Sequence, residues 1–100
     1  MTGIPSAVKL KVEQNDDKVI LTWEKPDGNG ATITKFSVYH RVANAKEWEE
    51  LIEIPAGSKL EYVFKGEKGK EYEFVVTASN RYGESPKTDI KSFKVSAGKS

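Results

Sequence analysis

Apolar residues recur at every second position along most of this chain, in short runs broken by turn-forming residues, and that period belongs to extended strands. The clearest run is Glu71 to Asn80, where Tyr72, Phe74, Val76 and Ala78 share one face and Glu73, Val75, Thr77 and Ser79 the other. Ala7 to Glu13 sets Val8, Leu10 and Val12 against Lys9, Lys11 and Glu13, and Lys18 to Glu24 aligns Val19, Leu21 and Trp23. Ile33 to Val42 gives Phe36, Val38 and His40 one parity, with Lys35, Ser37, Tyr39 and Arg41 on the other. A short charged run, Glu47 to Glu53, contains Trp48, and Leu60, Tyr62 and Phe64 alternate after it. The last run passes through Ile90, Phe93 and Val95, where the alternation slips by one residue and predicts a bulge.

Between the runs lie Asn15-Asp16-Asp17, Pro26-Asp27-Gly28-Asn29-Gly30, Ala43 to Lys46, Ile54-Pro55-Ala56-Gly57-Ser58, Gly66 to Lys70 and Arg81 to Thr88. These segments hold residues that supply positive φ or fix φ, so the chain reverses at each. Seven short strands with such regular turns predict an all-β fold, an antiparallel sandwich in preference to a barrel. Pro5 before the first strand and Pro86, Lys87, Lys91 and Lys94 around the last discourage edge pairing with another chain.

One hundred residues make one domain, and 37% hydrophobic against 31% charged residues is enough apolar material for a core. The 16 basic and 15 acidic side chains are spread along the chain, which leaves no stripe to attract nucleic acid. No apolar run approaches the roughly 18 residues needed to cross a bilayer, so no membrane contact is expected of this segment. With no cysteine, disulfides and thiolate chemistry are excluded while the compartment stays open. There is no Asn-x-Ser/Thr sequon.

The inventory of reactive groups predicts no enzyme and no cofactor. The single histidine, His40, shares parity with apolar neighbours and reads as a structural residue, so an acid-base triad has no base. One histidine and acids scattered over turns leave a metal site little to build on. Gly28-Asn29-Gly30 and Gly98-Lys99-Ser100 mimic nucleotide loops without the helix that such loops require.

Several segments together resemble the fibronectin type III family over residues 4–97, leaving 1–3 and 98–100 as tails. They are Pro5-Ser6-Ala7-Val8, Leu21-Thr22-Trp23 with Pro26, Gly30 to Val38, Trp48, and Tyr72 to Asn80 followed by Gly83-Glu84-Ser85. The resemblance implies a seven-stranded immunoglobulin-like sandwich with sheets A-B-E and C′-C-F-G. It places Trp23, Tyr72, Leu21, Phe36, Val38, Phe74 and Val76 in the core, with Tyr72 as the tyrosine corner that pins the crossover between sheets. Three positions depart from the family pattern: His40 where an aromatic is usual, Gly66 where an aliphatic side chain packs beneath the corner, and the irregular last strand.

By the same resemblance, the loops 25–32, 55–59 and 80–87 gather at one end. Their tips carry Asp27, Asn29, Lys59, Arg81 and Tyr82, the candidate protein-binding residues, with Arg81 and Tyr82 first because both types are enriched in binding hot spots. A second candidate surface is the outer face of the C′-C-F-G sheet, where Tyr39, Arg41, Val75 and Thr77 are expected to point outward beside Trp48. The expected function is a non-catalytic interaction or spacer module of a multidomain extracellular receptor or adhesion protein. Its partners would be a protein ligand or neighbouring domains of the same chain, and the isolated module would be monomeric. Alternatives are a cytoplasmic scaffold module and an accessory module of a secreted enzyme.

Overall fold

The computed structural model describes residues 3–87 and 90–95. The predicted tail at 98–100, the phosphate-loop mimic within it and the boundary at 97 lie outside the described residues. Among the described residues there are eight strands: β1 (Leu10–Asn15), β2 (Lys18–Trp23), β3 (Lys35–Val42), β4 (Glu49–Pro55), β5 (Glu61–Lys65), β6 (Glu71–Asn80), β7 (Gly83–Glu84) and β8 (Lys91–Lys94). One sheet runs β1-β2-β5 and the other β4-β3-β6, with β7 and β8 both paired to the free edge of β6. All these pairings are antiparallel, and the two sheets are those that the family resemblance implies.

The eighth strand is β7, which lies in the segment 81–88 that reads as a loop, where Gly83 and Glu84 pair with the end of β6. Ser79 pairs with Glu84 and Phe74 with Lys91, so five steps along β6 are matched by seven along the edge. The registers of β7 and β8 are therefore offset by two residues, and within β8 the pairing from Lys91 to Lys94 is unbroken. Phe93 and Val95 keep their packing on the core, whereas Ile90, grouped with them by sequence, is exposed.

Two other boundaries moved. β1 starts at Leu10, three residues later than its alternation suggests, although Val8 is still buried. β4 continues through Pro55, which reads as a breaker; a proline is tolerated there because β4 is an edge strand. Trp48 falls just before β4. Within β4 the register shifts between Val38↔Ile52 and Tyr39↔Glu50, leaving Leu51 as an extra residue packed against the core.

The inner faces interlock as Leu10, Val19, Leu21 and Trp23 from one sheet against Phe36, Val38, Ile54, Tyr72, Phe74, Val76 and Ala78 from the other. Trp23 meets Phe36 with centroids 5.9 Å apart, and Phe64 meets both Tyr72 and Phe74 edge-on at 4.9 and 5.2 Å. His40 lies in this aromatic layer, 5.3 Å from Phe64 and 6.4 Å from Tyr72. Its Nε2 is 3.8 Å from Glu49.

The Glu67 amide donates to the Tyr72 hydroxyl at 2.9 Å, which closes the crossover from β5 to β6. Gly66 is required there. A Cβ at 66 would lie 2.7 Å from Val95 Cγ2 and 2.8 Å from Tyr72 Cε2, so the space beneath the corner is already filled by Val95, Tyr72 and Phe64. We expect Gly66→Ala to lower stability by about 1–3 kcal/mol through overpacking, measured by chemical denaturation.

Candidate functional site

Strand direction brings the predicted loops together. β2 ends at Trp23, β3 begins at Lys35, β4 ends at Pro55, β5 begins at Glu61 and β6 ends at Asn80, so the intervening loops lie at one pole. The segment Gly3 to Ser6 joins them: Gly3 N donates to Asn29 O at 3.0 Å and Ser6 N to Asp27 O at 2.9 Å.

Asn80 organises this pole. Its Nδ2 donates to Gly3 O at 2.8 Å and to Gly28 O at 3.0 Å, while its Oδ1 accepts from the amides of Tyr82 at 2.8 Å and Gly83 at 3.2 Å. One nearly buried amide side chain thus ties the amino-terminal segment, the β2–β3 loop and the β6–β7 turn. Asp27 and Asn29 belong to the same framework. Asp27 Oδ1 accepts from the Asn29 amide at 2.8 Å, and Asn29 Nδ2 donates to Ile4 O at 2.7 Å from a left-handed backbone, φ 51°. Lys59 is 83% exposed and pairs with Glu61 at 3.1 Å.

Arg81 and Tyr82 project beyond the framework. The guanidinium Nη2 donates to the Tyr82 hydroxyl at 3.0 Å, and its carbon lies 5.0 Å from the ring centroid. Tyr82 remains 46% exposed, and Ile4, 41% exposed, approaches the base of the same turn at Gly83. The pole therefore offers a cation, a phenol and an aliphatic side chain on a hydrogen-bonded base.

The outer face of the larger sheet is arranged differently. Val75 and Thr77, expected to point outward, are fully buried there, as is nearly all of Ser37. The reason lies across the strands. Tyr39 stands opposite Val75, and its hydroxyl and that of Thr77 both donate to Glu84 Oε2, while Lys87 Nζ lies 4.6 Å from the Tyr39 ring centroid. Further along, Arg41 stacks 4.1 Å above Trp48 and bonds Glu73 at 2.6 Å. These side chains satisfy and shield one another.

Burial tends to raise the Glu84 carboxyl, but hydrogen bonds from Thr77 and Tyr39 and the nearby Lys87 outweigh it and hold the pKa below the ordinary value. Burial, followed by the bond to Glu84, pushes the Tyr39 phenol up to about 12. A depressed glutamate stabilises the fold above its unfolded value and loses that contribution as pH falls through the folded one; a raised tyrosine does so below about 10 and loses it as pH rises. We expect this clamp to be intact from about pH 5 to 10. Glu84→Gln should flatten the acid limb of a stability-versus-pH curve measured by denaturation.

Comparison with known proteins decides the family. The profile of the fibronectin type III domain matches residues 3–94. The chain belongs to the fibronectin type III family.

Among relatives of this fibronectin type III domain, it is 33% identical over 91 residues to the cell adhesion molecule Dscam2 of Drosophila melanogaster. That match covers 88% of this chain and 4% of Dscam2, so the chain spans a small part of that relative. Its fold is similar to the twitchin kinase region of C. elegans, with TM-score 0.80 and 23% identity over 94% of this chain and 17% of that one. It is also similar to the FN1–FN3 domains of chicken CNTN1, with TM-score 0.76 and 22% identity over 94% and 33%. Titin domains A168–A170 give TM-score 0.72 and 23% identity over 96% and 32%. Such domains are non-catalytic modules that recur inside longer chains.

For the fibronectin module, sequence reasoning isolated Arg81 and Tyr82 but passed over Asn80, which it read as the end of a strand. The available signal was an asparagine directly before a turn that ends in glycine, since asparagine bonds backbone amides two and three residues ahead.

Proposed function

We propose that this fibronectin type III module belongs to a cell-surface adhesion or receptor protein and contacts a protein partner through its loop pole, with Arg81 and Tyr82 as the leading contacts. The exposed, stacked Arg81–Tyr82 pair on the Asn80 framework carries the reading. Both residues are held by short local bonds, so little ordering entropy opposes association there. Asp27, Asn29 and Lys59 stand in the other loops of the same pole, the first two acting through the shape of the loop. The similarity to Dscam2, described as a cell adhesion molecule, supports the surface setting.

The test expresses the polypeptide carrying this module in non-adherent cells, with surface biotinylation and an aggregation assay for wild type and R81A/Y82A. Labelling in intact cells and aggregation reduced at least about tenfold in the variant support the proposal. The isolated variant should melt as wild type does, because exposed side chains contribute within about 0.5 kcal/mol. Unchanged aggregation overturns the contact, and protection from biotinylation overturns the surface setting in favour of an intracellular scaffold.

A further inference from the structure

The ladder between the first two strands is open in one place. Leu10 pairs with Trp23, and in the same register Ser6 N again meets Asp27 O, but Ala7 to Lys9 and Glu24 to Pro26 between them are not in strand conformation. Pro26 has no amide hydrogen to continue the ladder. The chains part around a groove of about 530 Å³ on the outward side of the smaller sheet, within the size range of ligand sites. Its floor is the Lys11–Thr22 cross-strand pair, and Ala7, Pro26 and Trp23 supply apolar wall.

Lys9, Lys11 and Lys25 all line this groove, and among the described residues none of the three makes an ion pair or side-chain hydrogen bond. Extending the β1–β2 register past Leu10↔Trp23 would set Lys9 opposite Glu24, and no ion pair joins the two. Trp23 lines the inner edge of the groove, but its indole lies in the core against Phe36, so the donors that the groove offers to solvent are the three ammonium groups. A donor-rich concavity with unpaired ammonium groups is complementary to an acceptor-rich anion.

We infer that this groove takes an extended acidic segment of a protein partner, with carboxylates at alternate positions. Lys9 and Lys11 are two residues apart in sequence and both line the groove, and an extended partner with acidic side chains at positions i and i+2, about 6.6–6.8 Å apart, offers a carboxylate to each. Lys25, which follows β2 and also lines the groove, takes a third carboxylate. Glu24 and Asp27 on the same rim repel an anion of uniform charge density, which favours a peptide over a sulfated polysaccharide.

The test titrates the protein with a capped five-residue peptide carrying glutamate at alternate positions, its glutamine counterpart, and a sulfated disaccharide. NMR follows the amides of Lys9, Lys11 and Thr22 and the indole N–H of Trp23. Saturable shifts confined to these signals, at least about tenfold weaker for the glutamine peptide and for K9E/K11E at unchanged Tm, support the assignment. No saturable shift at millimolar peptide, equal binding of the two peptides, shifts centred elsewhere, or tighter binding of the disaccharide would each overturn it. Loss here leaves the Arg81–Tyr82 contact untouched, since the two sets of residues are separate.

Discussion

Trp23→Ala is expected to destabilise the fold by about 3–5 kcal/mol. The indole is 5% exposed and lies against Phe36 where the two sheets meet. A buried tryptophan removes about 150–250 Å² from water, and at about 25 cal/mol per Å² that is roughly 4–6 kcal/mol gross. Leu21 shares β2 with Trp23 while Phe36 and Val38 lie on β3 of the facing sheet, and the hydrogen-bond ladder inside each sheet holds these strands in place, so they cannot close the cavity fully. Because Nε1 has no partner, no hydrogen bond is lost with the ring and the cost is one of packing. A denaturant midpoint within error of wild type would remove Trp23 from the core.

Asn80→Ala should cost about 2–3 kcal/mol, although it deletes almost no apolar contact. It strands two carbonyls, Gly3 O and Gly28 O, and two amides, those of Tyr82 and Gly83. Some of these groups are close enough to solvent to find water, which keeps the loss below the sum of four buried bonds. In a domain of this size each kcal/mol moves Tm by about 4–8 °C, so calorimetry resolves the effect easily. A loss under about 0.5 kcal/mol would mean that the pole does not depend on this side chain.

The two residues differ in how well the sequence reveals them. Trp23 announces itself through alternation with Val19 and Leu21, and β6 is legible to its boundaries because ten residues alternate without interruption. Long-range pairing is what alternation does not encode. Val75 and Thr77 occupy the outward parity, yet Tyr39 and Glu84 arrive from other strands and bury them. The two-residue slip between β7 and β8 likewise preserves parity, so the hydrophobic pattern alone cannot size it.

At the pole the same division holds. Arg81 and Tyr82 are legible as loop-tip side chains, whereas Asn80 acquires its role only when residues 3, 28 and 82 to 83 converge on it. Asp27 and Asn29 show the converse. Their side chains read as exposed tips and instead hold the turn and the amino-terminal segment in place.

The central claim is that this module presents a preassembled surface for contact, with Arg81 and Tyr82 carried on a base that Asn80 fixes. Amide hydrogen exchange at Tyr82 and Gly83 tests it most directly, because both amides donate to Asn80 Oδ1. The account predicts exchange slowed at least about tenfold relative to an unstructured peptide of the same sequence, with protection lost in Asn80→Ala. Exchange of both amides at the unstructured rate in the wild-type protein would contradict it.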